Sequence, residues 1–243
     1  MKKRSTYTLI ILFALFQSSY VYSNEFTLSA KFGPIKKIIY KFSYEMNIED
    51  NEYNLKFNLS SQDNLIEFLT DETIGRGFSQ GKIDKKIFLV KSYEYIEQKK
   101  SSRKKYSIDF NDPYNIKGTR VPSYDKSKLT PIDNKMLIDV FDPALIFYKL
   151  ANFLDLNDCN KRFKIYDAKR RLDLLITKIS DDQNSFKCLI TSKKIGGYKM
   201  KDKMNPLEIP YEMIIEFKYI NGNLRMNSIE GKNNVFNIIL ERS

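Results

Sequence analysis

From Ile38 the chain alternates for eleven residues: Ile38, Tyr40, Phe42, Tyr44, Met46 and Ile48 at even positions, Lys41, Ser43, Glu45 and Asn47 at odd ones. A period of two puts every second side chain on one face of an extended strand, so this stretch specifies a strand with one buried and one wet face. Glu49-Asp50-Asn51 supplies turn residues, and the alternation resumes at Tyr53, Leu55, Phe57 and Leu59, which predicts a long hairpin. The pattern returns at Tyr106–Phe110, Phe186–Ile190, Tyr211–Tyr219 and Phe236–Leu240. Faces this one-sided exclude a parallel α/β sheet and predict a mainly β domain of nine or ten antiparallel strands.

One helix interrupts the strands. Asp142 is a good N-cap, Pro143 suits the first helical position, and Ile146, Phe147, Leu150, Phe153 and Leu154 fall on one stripe. A lone amphipathic helix in such a chain has the sheet's concave face to cover, so Ile146, Leu150, Phe153 and Leu154 are read as a lid, with Lys149 off the stripe. Asn111–Asp133 holds three prolines and little periodicity, and reads as a long surface connection. Nothing gives either half its own core, so residues 24–243 are expected to form a single domain.

Residues 1–23 have the three parts of a secretory signal. Lys2, Lys3 and Arg4 precede the apolar run Tyr7–Phe16, and Val21-Tyr22-Ser23 offers a cleavage point that leaves Asn24 first. The run is short for a spanning helix, which needs about 20 apolar residues, and a retained anchor is the lesser reading. The expectation is an exported protein, periplasmic in a Gram-negative cell, with no transmembrane span after cleavage.

The chain has no His, so it cannot build a Ser-His-Asp or Cys-His site, and no metal or cofactor is expected. Only carboxylates, Lys and Tyr remain for acid-base work, and the chain is read as no enzyme. Its net charge of +11 falls to +8 without the signal (38 − 30). Lys supplies 32 of the 41 cations while Ala occurs five times, a skew that fits AT-rich coding, so nucleic acid is not expected as a partner. Gly75-Arg76-Gly77 has neither the spacing nor the Lys-Ser/Thr of a phosphate loop.

Cys159 and Cys188 are the only thiols. Export favours a disulfide, but in a flat meander they would flank one strand about 9–10 Å apart, beyond the ~7 Å reach between bridged Cα atoms. A bridge therefore needs Cys159 to fold across the sheet; two unpaired thiols are the alternative. Tyr166–Asp173 is the most distinctive stretch. Asp167-Ala168-Lys169 reads as a tight turn, with Leu172, Leu174 and Ile176 inward, Arg170 beginning on the apolar face and Arg171 pointing to solvent. Arg170 suits an anionic head group; the alternative is a packed stem with its head on a nearby carboxylate.

Together these residues resemble the bacterial exported domain-of-unknown-function family 3108. The resemblance rests on the opening pair of long strands, the Asp142-Pro143-Ala144 helix start and the Tyr166–Leu172 turn. Cys188 with Gly196-Gly197-Tyr198 and the late strand Pro210–Tyr219 complete it. Ala168 stands where the family usually has Gly. The resemblance implies a periplasmic, curved antiparallel sheet or incomplete barrel around a helix, similar to lipoprotein carriers. Two functions follow as expectations. One is a non-catalytic carrier of an apolar, lipid or lipoprotein ligand; the other is an envelope interaction or assembly factor whose core is filled by its own side chains.

Overall fold

The computed structural model describes residues 20–32, 35–61, 73–156, 159–182, 185–199, 212–232 and 237–243. The apolar run of the predicted signal lies outside them. The first half of the chain supplies β1 (Tyr20–Phe32), β2 (Ile35–Glu49), β3 (Glu52–Ser61), β4 (Thr73–Asp84), β5 (Ile87–Lys99), β6 (Arg103–Asp109) and β7 (Lys117–Val121). After α1 (Pro143–Ala151) come β8 (Lys161–Tyr166), β9 (Arg171–Asp181), β10 (Ser185–Gly196), β11 (Glu212–Ile220), β12 (Asn223–Lys232) and β13 (Asn237–Arg242). All thirteen strands lie in one antiparallel sheet, ordered β7-β6-β5-β4-β3-β2-β1-β13-β12-β11-β10-β9-β8. The chain starts in the middle, walks out to one edge, jumps to the other edge and walks back until β13 pairs with β1. That single long jump carries α1.

The sheet is curved and unclosed, and its two edges approach each other. A Cβ at Gly118 on β7 would run into the ring of Tyr166 at the end of β8, so glycine permits this approach. The predicted hairpin is β2–β3, with Asp50 and Asn51 at φ 48° and 62° in a left-handed turn. Tyr44 and Met46 are buried as expected, but Ile38 is 45% exposed. Leu28 pairs with Tyr40 and Ser29 with Ile38, leaving Ile39 as a bulge, and the inserted residue turns Ile38 to the wet face.

The Asn111–Asp133 connection is more structured than its composition suggests. It contains β7, and Thr130 exchanges backbone hydrogen bonds with Gly197 and Tyr198 at 2.8 Å each. Gly75-Arg76-Gly77 lies inside β4, not in a loop.

Helix α1 fills the concave face. Its cap is as expected: Asp142 Oδ1 accepts from the Leu145 N–H at 2.9 Å, and Asp142 Oδ2 from the Ser79 hydroxyl of β4 at 2.7 Å. Its opposite end is held by two arginines. Arg242 donates to the Ala151 carbonyl at 3.1 Å, Arg225 bonds the Asn152 side chain, and Asn152 donates to Tyr44 Oη at 3.0 Å. An anion at the N-terminus and cations at the C-terminus match the helix dipole, so α1 is tied to both halves of the sheet by charge as well as packing.

The one-stripe picture of α1 needs correction. The helix ends at Ala151, leaving Phe153 and Leu154 beyond it, partly buried against the core, while Ile146 and Leu150 are buried within it. Seven of its nine residues are buried, Lys149 among them at 2% exposure. The helix touches β3, β4, β8 and β12 of the curved sheet, so a position off the apolar stripe still meets protein. Lys149 pairs with Asp155 and lies 4.8 Å from the ring centre of Phe88 and 5.4 Å from that of Phe141. Phe147 packs edge-on against Phe26, Phe42 and Tyr44. One continuous buried cluster runs from Phe57 and Tyr93 through Leu145 and Ile146 to Ile190 and Phe217.

Cys159 and Cys188 form the disulfide, with Cα atoms 5.8 Å apart and both residues fully buried. Cys159, at φ 60°, sits in the turn before β8 and so reaches across the sheet rather than lying in it.

Candidate functional site

The Tyr166–Arg171 turn lies where the sheet's two edges meet. Asp167 builds it: Oδ1 accepts from the backbone N–H groups of Lys169 at 3.0 Å and Arg170 at 2.6 Å. Ala168 is held at φ 71°, a left-handed conformation in which glycine would be unstrained. Gly197, at φ 81°, packs so tightly on the Lys169 carbonyl that a Cβ would collide with it. The Tyr166–Leu172 and Gly196-Gly197-Tyr198 segments are therefore in direct contact.

The two arginines exchange their expected roles. Arg170 is not in the concavity: its side chain is 51% exposed, and its guanidinium pairs with Asp167 at 2.8 Å. Arg171 is the buried one, at 3% exposure, donating Nε to the Met136 carbonyl at 2.8 Å and pairing with Asp173 at 2.7 Å. Leu174 and Ile176 are buried and Leu172 half-buried, as the alternation predicts, but the outer face there is covered by the segment around Pro131–Met136. Position 171 thus meets protein where sequence parity predicts water.

Residues that periodicity could not connect complete the seam. Arg120 of β7 stands 5.7 Å from the ring centre of Tyr106 and 5.5 Å from that of Tyr124, and Lys169 stands 5.6 Å from the same Tyr124 ring. Lys194 lies 5.2 Å from the ring of Tyr198. Burial first, then the charges of Arg170, Arg120 and Lys199, hold the Lys169 ammonium below the ordinary lysine value. Burial pushes the Tyr166 phenol up to about 12 and raises that of Tyr124, so both stay protonated donors.

A second concavity lies on the wet face, a groove of about 1200 Å³ at the β2–β5 end lined by Asn47, Asn54, Gln80, Ser92, Glu52 and Lys91. Its lining is mixed, with Tyr53, Ile83 and Leu89 beside these polar residues. Among the described residues no cluster of three or more Cys, Asp or Glu could hold a metal ion, and no helix is long and apolar enough to cross a membrane.

No family model and no curated protein matches the chain, and membership of family 3108 is not confirmed. Among solved structures the chain is similar to the "Crystal Structure of Beta-barrel-like Protein of Domain of Unknown Function DUF1849 from Brucella abortus". Identity is 10% and the TM-score 0.48, over 91% of this chain and 95% of that one.

Proposed function

We propose that this is a non-catalytic exported protein of the cell envelope that acts through its outer surface, as an interaction or assembly factor. The observation that carries the reading is α1: seven of nine residues buried on the concave face, where a carrier would keep space for its ligand. The helix is tied at both ends, by Ser79 to Asp142 and by Arg242 to Ala151, which suits a fixed plug better than a lid. The buried Cys159–Cys188 bridge supports an oxidising compartment such as the periplasm.

Native mass spectrometry on protein isolated from the envelope, after a high-salt wash that strips surface-held ions, tests the choice. The expected species is the bare chain, with nothing released into organic solvent. A stoichiometric acyl-chain adduct would overturn the filled-core reading and restore the carrier.

A further inference from the structure

Several lysines of this surface pair with a carboxylate where they stand. Lys91 pairs with Glu52 at 2.9 Å, Lys104 with Glu97, Lys105 with Glu94 and Lys178 with Asp181 at 2.7 Å each. The seam between β7 and the Tyr166–Arg171 turn is different. It brings Arg120 and Lys169 to one ring, that of Tyr124, beside Arg170, which holds Asp167, and Lys199, two residues beyond the Gly197 that packs on the Lys169 carbonyl. Among the described residues no ion pair neutralises Arg120, Lys169 or Lys199. Coding drift would scatter lysines without regard to partners; it does not explain three unneutralised cations brought together from β7, the turn after β8 and the chain after β10.

Gathering like charges costs stability, since each disfavours its neighbours. The rings of Tyr106 and Tyr124 offset part of that cost from one side by cation–π attraction. The remaining side is open: Lys199 is exposed and the Arg170 side chain half-exposed. Arg120 donates one Nη to the Pro122 carbonyl at 3.1 Å and Arg170 holds Asp167, which leaves further N–H donors on each planar guanidinium.

We propose that this seam binds a phosphate-class oxyanion, held by Arg120, Lys169, Arg170 and Lys199. A monovalent carboxylate would leave most of the positive charge uncompensated, whereas a phosphate or pyrophosphate group matches both the charge and the guanidinium forks. The site lies outside the plugged core and does not depend on the partner reading above. The oxyanion is either a free ion or the phosphate of a lipid head group.

The test uses the folded, disulfide-bonded protein and two probes: inorganic pyrophosphate by titration calorimetry at low salt, and phosphatidylglycerol/phosphatidylcholine vesicles by co-sedimentation. The comparison is with the double variant Arg170→Gln/Lys199→Gln, both positions being open to solvent. Lys91→Gln, a paired lysine elsewhere, is the control, and the circular dichroism spectrum reports folding. Expected is saturable binding that weakens at least about tenfold in the double variant, persists in Lys91→Gln and fades with salt. A response to pyrophosphate alone identifies a free ion, and a response to the vesicles identifies a head group. No binding of either probe, or equal binding by wild type and a folded double variant, overturns the proposal.

Discussion

Ser79 of β4 donates its hydroxyl to Asp142 Oδ2 at 2.7 Å, and both residues are fully buried. The carboxylate that caps α1 is thereby also the group that pins the helix to the first half of the sheet. Desolvation outweighs its hydrogen bonds and pushes the Asp142 carboxyl up from 3.8 to about 6. A raised acid binds more protons folded than unfolded, so its contribution is fully present below the unfolded value and is lost as pH rises through about 6. The span corresponds to about 3 kcal/mol. Asp173 and Glu216, held below their usual values by cationic partners, act in the opposite sense and lose stability on acidification. Urea midpoints across this range, compared between wild type and Asp142→Asn, isolate the first effect. Wild type should lose stability relative to the variant as pH rises; parallel profiles would show that Asp142 does not titrate there.

Helix packing predicts two large effects side by side. Leu150→Ala should cost about 2–5 kcal/mol through lost transfer energy and the cavity left behind. Lys149→Ala should cost on the order of 2 kcal/mol, because it removes a buried stem, two ring contacts and the partner of Asp155. Lys149→Met, which restores the stem, should recover part of that loss. Equilibrium denaturation decides it, and a Lys149→Ala midpoint equal to wild type would place that residue outside the core.

The bridge between Cys159 and Cys188 spans 29 positions, and on the chain-entropy model removing it should cost about 3–4 kcal/mol. A Cys159→Ser/Cys188→Ser variant should show this in its urea midpoint. Peptide mapping of unreduced protein should recover the two cysteine peptides linked; full labelling of both thiols would contradict the bridge.

The approach of β7 to β8 yields a cycle. Gly118→Ala places a methyl group against the Tyr166 hydroxyl and should destabilise by about 1–3 kcal/mol. Tyr166→Phe removes the atom nearest that methyl, so Gly118→Ala should cost less in its presence, with a coupling of about 0.5 kcal/mol or more. Strict additivity of the two midpoints would mean that the sheet edges do not touch here.

The features legible in the sequence are those set by local pattern. Tyr44 and Met46 face inward because alternation puts them there, and Asp142 caps because a short acidic side chain precedes a proline-started helix. What stayed hidden depends on what covers a residue from far away in the chain. Arg171 is buried by the Pro131–Met136 segment, Lys149 lies against the rings of Phe88 and Phe141, and the Ile39 bulge overrides the parity of Ile38. The caps on the helix C-terminus come from Arg225 and Arg242, some 70 to 90 positions downstream, where no local signal marks them. The seam cations share this obscurity: Arg120 reads as an ordinary residue of a proline-rich stretch until β7 meets the turn.

The last prediction concerns Ser23. Strand β1 runs through the expected cleavage point, with Tyr20, Val21, Tyr22 and Ser23 opposite Ile48, Asn47, Met46 and Glu45. Cleavage would remove those four rungs but keep Asn24, whose side chain is tied to the core. Asn24 donates to Tyr44 Oη at 3.0 Å and also bonds Arg242. The rungs that are lost are not the sole support of this part of β2, because Glu45–Ile48 pair on their other side with Tyr53–Lys56. A chain that begins at Asn24 should therefore fold with the same core, and hydrogen exchange should quicken only at the Glu45–Ile48 amides that faced β1. Intact-mass analysis of the exported protein should show Asn24 as its first residue. Recovery of a chain still carrying Met1 in the membrane fraction would show that residues 1–23 are kept as an anchor.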